Sequence, residues 1–258
     1  MIVKRIVILA NSIKNQNRCI AGRELWHAQG AHRLGKWVRP VTSAGHGEIA
    51  LDQSTLTDGT QPAVMDIIDV PLLDYADDPT QPENWHLAVG KPWKRVTTVP
   101  GVPQALLREA PANLWIEFNQ DTDRISAAAV AAMTAPSAAG AAGNASTNVG
   151  PAAGSASLYL IQPRRFRLVA RTERDGPYGK EHRRRRAVFE YGRERYNLSV
   201  TDPTIDARYL DPFPTAKEGP RKVELPCGDD CLLCVSRTPV YEDGCHYKIV
   251  ATVMEGKA

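Results

Sequence analysis

A stretch near the middle of the chain, residues 126–157, holds 14 Ala, 5 Ser and 4 Gly, and from 136 to 157 it has no charged residue, no aromatic and no large aliphatic except Val149. Such a segment cannot bury enough apolar surface to offset its ordering entropy. Its first part, 126–133, is rich enough in alanine for a short helix. The remainder reads as a flexible linker or insertion. The break divides the 258 residues into an N-terminal part, 1–125, and a C-terminal part, 158–258. Each has the size of one small domain. Elsewhere the composition is ordinary, with 43% hydrophobic and 24% charged residues, which excludes a disordered or fibrous chain. Nineteen Gly and nineteen Pro favour many short elements joined by turns.

Those elements read as strands. Ile2, Lys4, Ile6 and Ile8 alternate against Val3, Arg5, Val7 and Leu9, and both faces turn apolar after Arg5, as in a central strand. Further candidates in the N-terminal part are 36–42 and 63–73, followed by an acidic, Pro-rich surface loop over 75–85. A short helix over 103–108 and a last short element over 114–118 complete it. In the C-terminal part, 157–161 leads through Pro163 into 164–171, turn residues occupy 175–179, and 183–191 with 195–201 form a hairpin. A last strand over 246–254 alternates Tyr247, Ile249, Ala251 and Val253 against Lys248, Val250 and Thr252. The expectation is an all-β fold with a few short helices and one small barrel in each half. The N-terminal apolar run is too short and too charged for a signal peptide, and no stretch approaches the ~20 apolar residues that span a bilayer. A cytoplasmic protein with no membrane partner is expected.

Charge is unevenly placed. Residues 151–200 carry 11 Arg and 1 Lys against 5 Asp or Glu, an excess of +7, while the whole chain is only +3 and the remainder therefore sums to −4. Arg164, Arg165, Arg167, Arg171, Arg183, Arg184, Arg185 and Arg186 fall on or beside the strand candidates, interleaved with Phe166, Phe189, Tyr191 and Tyr196. Guanidinium groups neutralise phosphates, and aromatic faces stack on unpaired bases. The pattern points to nucleic acid as partner. The competing reading is a solvated edge face that blunts aggregation, or a docking surface for an acidic protein or for the acidic half of this chain.

Five cysteines, Cys19, Cys227, Cys231, Cys234 and Cys245, do not form an extracellular disulfide pattern. The C-x3-C-x2-C spacing of Cys227, Cys231 and Cys234 is used for iron–sulfur clusters by radical enzymes, but only 24 residues follow it. With Cys245 and His246 it permits tetrahedral zinc. The apolar surroundings of Cys234 instead favour a thiol packed as a small hydrophobe, so no cofactor is expected, with zinc left open. No phosphate-loop, dinucleotide or hydrolase motif occurs. His46, Glu48, Asp77 and Asp78 read as turn and surface residues as readily as acid–base groups. Asn11, Ser12, Arg18, Arg23 and Arg39 cluster after the first strand and within the next, close enough in a barrel to converge on one ligand. They could equally close loops by hydrogen bonding.

The opening Arg5-Ile-Val-Ile-Leu-Ala-Asn-Ser12, the run Asn17-Arg-Cys-Ile-Ala-Gly-Arg-Glu24, and Trp37-Val-Arg-Pro-Val41 resemble the bacterial dual OB-containing domain family. So do Gln81-Pro-Glu-Asn84, Thr201-Asp-Pro203, Leu233-Cys-Val-Ser236 and Tyr247-Lys248. The resemblance runs from about residue 2 to 254, with 126–157 as an insertion. It implies two OB-type barrels in tandem and a nucleic-acid-binding role without enzymatic activity. Cys227 and Cys231 depart from the family's Leu-Cys-Val-Ser element, which keeps zinc open. Two other readings are an enzyme acting on a nucleotide or nucleic acid through Asn11, Arg18, Arg39, His46 and Glu48, and a protein-interaction adaptor.

Overall fold

The computed structural model describes residues 1–14, 16–28, 31–43, 45, 47–99, 110–115, 123–135, 156–174, 181–210, 221–224 and 231–255. The first sheet is built from β1 (Ile2–Lys14), β2 (Asn17–Ala28), β3 (Ala31–Val41), β4 (Asp66–Tyr75), β5 (Asn84–Leu87) and β6 (Lys94–Thr98). Its order is β1-β2-β3-β5-β4, and β4 pairs back onto β1, so the sheet closes into a barrel with β6 on the outer edge of β4. β1 achieves closure by serving two partners, β4 along residues 2–7 and β2 along residues 6–14. A register shift between Ile8 and Ala10 marks the bend. Gly22 crosses β1 so closely that a Cβ there would lie 2.1 Å from the Val7 carbonyl oxygen, which explains a glycine inside a strand.

The second sheet repeats this order. It comprises β7 (Arg124–Ser126), β8 (Leu158–Ile161), β9 (Arg164–Arg174), β10 (Glu181–Tyr191), β11 (Glu194–Val200), β12 (Arg221–Glu224), β13 (Leu232–Arg237) and β14 (Cys245–Met254). β9-β10-β11-β14-β13-β8 are successive neighbours, with β11 and β14 parallel as β3 and β5 are in the first sheet. β8 and β9 are separated only by Gln162 and Pro163, so one bent strand closes the circle. Proline removes a ladder donor at the corner, and Arg165 turns the chain with a left-handed φ of 50°.

Each barrel has its own interior. Ile6, Ile8, Ile20, Val38, Ile68, Val70 and Trp93 fill the first; Leu168, Ala187, Phe189, Tyr196, Leu198, Leu233 and Val235 belong to the second. A third apolar cluster joins them: Val7, Leu9 and Ile67 of the first barrel against Leu158, Leu160, Leu232, Cys234 and Met254 of the second. The doubly apolar pattern of β1 follows directly. Ile6 and Ile8 point into their barrel, while Val7 and Leu9 face the neighbouring one.

The helix expected at the start of the alanine-rich segment is α1 (Ala127–Thr134), capped by the Ser126 hydroxyl, which accepts from the Ala129 N–H at 3.1 Å. Leu114, Trp115, Ile125 and Val130 pack in the core of the second barrel, and β7 pairs with β14. These residues lie before or inside the break drawn from the sequence, yet they pack with the C-terminal barrel. Residues 136–155 of the proposed linker, the expected helix over 103–108 and the turn over 175–179 lie outside the described residues.

Tyr196 anchors this attachment. Its ring stacks on Phe189 at 5.3 Å, and its hydroxyl accepts a hydrogen bond from the Leu114 N–H at 3.1 Å. Tyr196→Phe leaves that buried N–H without an acceptor, and is expected to lower unfolding free energy in urea by about 1–3 kcal/mol. An unchanged midpoint would show that the 110–115 segment is not held here.

Candidate nucleic-acid interface

The strand pairing decides where each arginine goes. Arg184 lies opposite Arg171, Arg186 opposite Val169, and Val188 opposite Arg167 across β9–β10. Across β10–β11, Glu190 lies opposite Arg195. Directly opposed residues share a face, so Arg167, Arg171, Arg184, Arg186 and Arg195 share the outer surface of the second barrel. Arg171, Arg184 and Arg195 are exposed and Arg167 is half-buried. Among the described residues Arg167, Arg171 and Arg195 make no ion pair.

Other members of the basic run are committed elsewhere. Arg185 grips Asp206 through two hydrogen bonds, and Arg183 stands 3.7 Å from the same carboxylate. These guanidinium groups, Arg185 first, hold the Asp206 carboxyl below its ordinary range against the opposing effect of burial. Arg186 donates to Asp123 at 2.6 Å and to Ser199 at 2.8 Å. Arg164 donates to the Gly192 carbonyl at 2.8 Å, and Arg165 pairs with Glu190 at 3.0 Å.

The aromatic half of the expectation is corrected. Phe189 and Tyr196 are each 1% exposed, because they alternate onto the core face with Ala187 and Leu198, and they stack on each other rather than on a ligand. Phe166 and Tyr191 are partly buried against the same core, and the Tyr191 hydroxyl donates to the Pro111 carbonyl at 2.6 Å. Among the described residues the exposed aromatics are Trp26 on β2, 52% exposed, Tyr75 on β4 and Tyr241. Nothing in the pattern around Trp26 singles it out, since its neighbours are mixed in polarity.

The five candidate pocket residues of the first barrel do not converge. Ser12 and Arg39 line a cavity of about 260 Å³ at the seam between barrels, with Gln81, Thr201, Ser236, Arg237 and Tyr241. Asn11 instead ties loops together, its backbone N–H donating to Thr252 at 3.1 Å and its side-chain amide to Pro62 at 2.8 Å. Arg23 donates to the Gly35 carbonyl at 2.6 Å. Arg18 pairs through its backbone with Ile49, and its buried Nη1 has no hydrogen-bond partner among the described residues. Asp78 closes a turn by accepting from Thr80 and Gln81, Asp77 is exposed, Glu48 is half-buried, and His46 lies outside the described residues.

A buried polar network crosses the seam. Glu83 accepts from the Ser157 N–H at 2.6 Å and its hydroxyl at 2.9 Å. Arg39 donates to the Ser157 hydroxyl at 2.9 Å, Gln81 to the Arg237 carbonyl at 3.1 Å, and Arg237 to the Thr80 carbonyl at 2.6 Å. Burial pulls the Arg237 guanidinium down from its ordinary value, while the Glu83 charge pulls the other way.

The profile of the dual OB-containing domain family matches residues 4–253. The chain belongs to this family. No curated protein and no solved structure matches it. The two closed sheets are thus the two OB barrels of a dual OB-containing domain, a class of barrel whose strand faces and loops commonly receive oligonucleotides or oligosaccharides. No helix among the described residues is long and apolar enough to cross a membrane.

The cysteines of this dual OB-containing domain are set by β13. Cys231 packs with Leu233 and Val235 in the second barrel, whereas Cys234 packs with Leu232 at the seam. The two thiols thus pack in different apolar clusters. Cys227 lies outside the described residues, and Cys245 is half-buried at the start of β14. Burial pushes the Cys234 thiol up to about 12, with Arg39 opposing. At pH 8 iodoacetamide is expected to leave Cys234 unmodified in the folded protein while Cys245 reacts, read by peptide mapping. Full Cys234 labelling under native conditions would contradict its burial. Because the folded value is the higher one, this thiol stabilises the fold below about pH 9, and that contribution is lost as pH rises toward 12.

Proposed function

We propose that this chain is a non-catalytic nucleic-acid-binding protein that takes single-stranded or otherwise exposed strands in a reducing, cytoplasmic setting, with phosphates seated on the outer face of β9, β10 and β11. The observation that carries the reading is the alignment of Arg167, Arg171, Arg184 and Arg195 on one face by strand register. Their spacing along three neighbouring strands matches a backbone ligand better than a single small anion. Guanidinium groups in this arrangement bind phosphate without needing base identity. The exposed Trp26 offers a ring for stacking, worth ~1–3 kcal/mol per base where such contacts form. Membership of an OB-type family supports the choice of single strands over duplex.

Fluorescence anisotropy with a labelled 12-nucleotide single strand and a duplex of the same sequence tests this reading. The single strand is expected to bind at least several-fold more tightly. Equal affinity for both, or no binding of either at low salt, would contradict it.

A further inference from the structure

The seam cavity has the size and chemistry of a ligand site. Its volume of about 260 Å³ is far above the ~10–15 Å³ that a single water needs and just below the ~300–1,000 Å³ typical of drug-sized ligands. Arg39 forms part of its wall and is only 6% exposed. Both hydrogen bonds that Arg39 makes among the described residues run through Nη2, to Ser157 at 2.9 Å and Ser236 at 3.4 Å. The guanidinium has five N–H donors, so the three on Nε and Nη1 are left without a partner there.

The charge balance favours an anion. Arg39, Arg237 and Glu83 are all buried at the seam, two cations against one carboxylate, and Glu83 is occupied by Ser157. Asp78 and Glu48 are only half-buried and so are better screened by water. An uncompensated buried guanidinium is costly, and an anion entering the cavity would relieve that cost. The hydroxyl-bearing residues around the cavity come from both barrels: Ser12 from the first, Thr201, Ser236 and Thr238 from the second. Each of these hydroxyls already donates its one proton to a backbone carbonyl, Ser12 to Cys19, Thr201 to Val250, Ser236 to Arg237 and Thr238 to Pro239, so the donors open to an anion are the three of Arg39, whose planar fork suits phosphate. Tyr241, an exposed ring on the same wall, offers a surface for the group esterified to that phosphate.

We propose that this cavity binds a phosphate monoester, with Arg39 as the principal partner of the anion. The ester could be a free nucleotide or the 5′-phosphorylated end of a strand. The site stands on the seam alone, whether or not the outer arginine face binds nucleic acid.

The full chain in phosphate-free buffer is melted with adenosine monophosphate, with adenosine, and with inorganic phosphate. The monophosphate is expected to raise Tm by about 3–6 °C at ten times its dissociation constant, while adenosine does not. Equal shifts with monophosphate and adenosine, or none with either, would overturn the proposal. Arg39→Lys keeps a charge but loses the planar donors, and is expected to weaken the monophosphate at least tenfold. Ser236→Ala, which keeps the Arg39 side chain but removes one of the two hydroxyls that hold it, is expected to weaken it several-fold with an unchanged far-ultraviolet circular dichroism spectrum. Wild-type affinity in both variants would also overturn it. A 12-nucleotide strand with a 5′-phosphate that binds more tightly than its 5′-hydroxyl counterpart, and is competed by the monophosphate, identifies strand ends as the source. Equal strand affinities alongside the monophosphate shift identify free nucleotide.

Discussion

Glu83→Ala is expected to destabilise the folded protein by about 3–5 kcal/mol, the usual cost of removing one partner from a buried charge network. The carboxylate is buried between barrels, takes both hydrogen bonds of Ser157, and lies within the field of Arg237. Without it, two buried guanidinium groups lose their counter-charge and the Ser157 N–H loses its acceptor. Glu83→Gln separates these effects, because the amide oxygen can still accept from Ser157 while the charge is gone. It is expected to recover the hydrogen-bond share, ~1–2 kcal/mol, and no more. Urea unfolding of the three proteins measures both. A loss below ~1 kcal/mol for Glu83→Ala would mean that the network contributes little to holding the barrels together.

The barrels were legible where burial wrote a pattern. β1, the hairpin β10–β11 and β14 alternate because one face fills a barrel, and β1 is apolar on both faces because the other meets the second barrel. β2 was not legible as a strand. Asn17, Arg18, Cys19, Arg23 and Glu24 interrupt its alternation, and its ladder is fixed by β1 and β3 rather than by local preference. β6 is mostly exposed and so carries no apolar period at all.

The site was legible in part, for a related reason. An arginine run is visible in one dimension, but its division into outward, core-side and paired members depends on register. Phe189 and Tyr196 looked like stacking groups because aromatic residues beside arginines carry no mark of which face is buried. The seam network could not be read at all: Glu83 and Ser157 are 74 residues apart, and Gln81 and Arg237 are 156 apart. The one local hint was Arg237, a charged residue ending the wholly buried strand Leu232–Arg237.

The largest effect on binding is expected from Arg171 and Arg184, exposed and directly opposed on β9 and β10. Replacing both by alanine removes up to two phosphate contacts. Each contact contributes about −0.7 to the slope of log affinity against log salt for single strands. The double variant should therefore show a slope less steep by about 1.4, and affinity reduced at least tenfold near 0.1 M salt. A urea midpoint for the double variant separates lost binding from lost fold. The decisive measurement is anisotropy titration of one labelled single strand, from about 0.05 to 0.3 M salt, with the parent and the Arg171→Ala/Arg184→Ala variant side by side. The outer face is the phosphate surface if the variant line is both lower and flatter. Coincident lines at every salt concentration would contradict it.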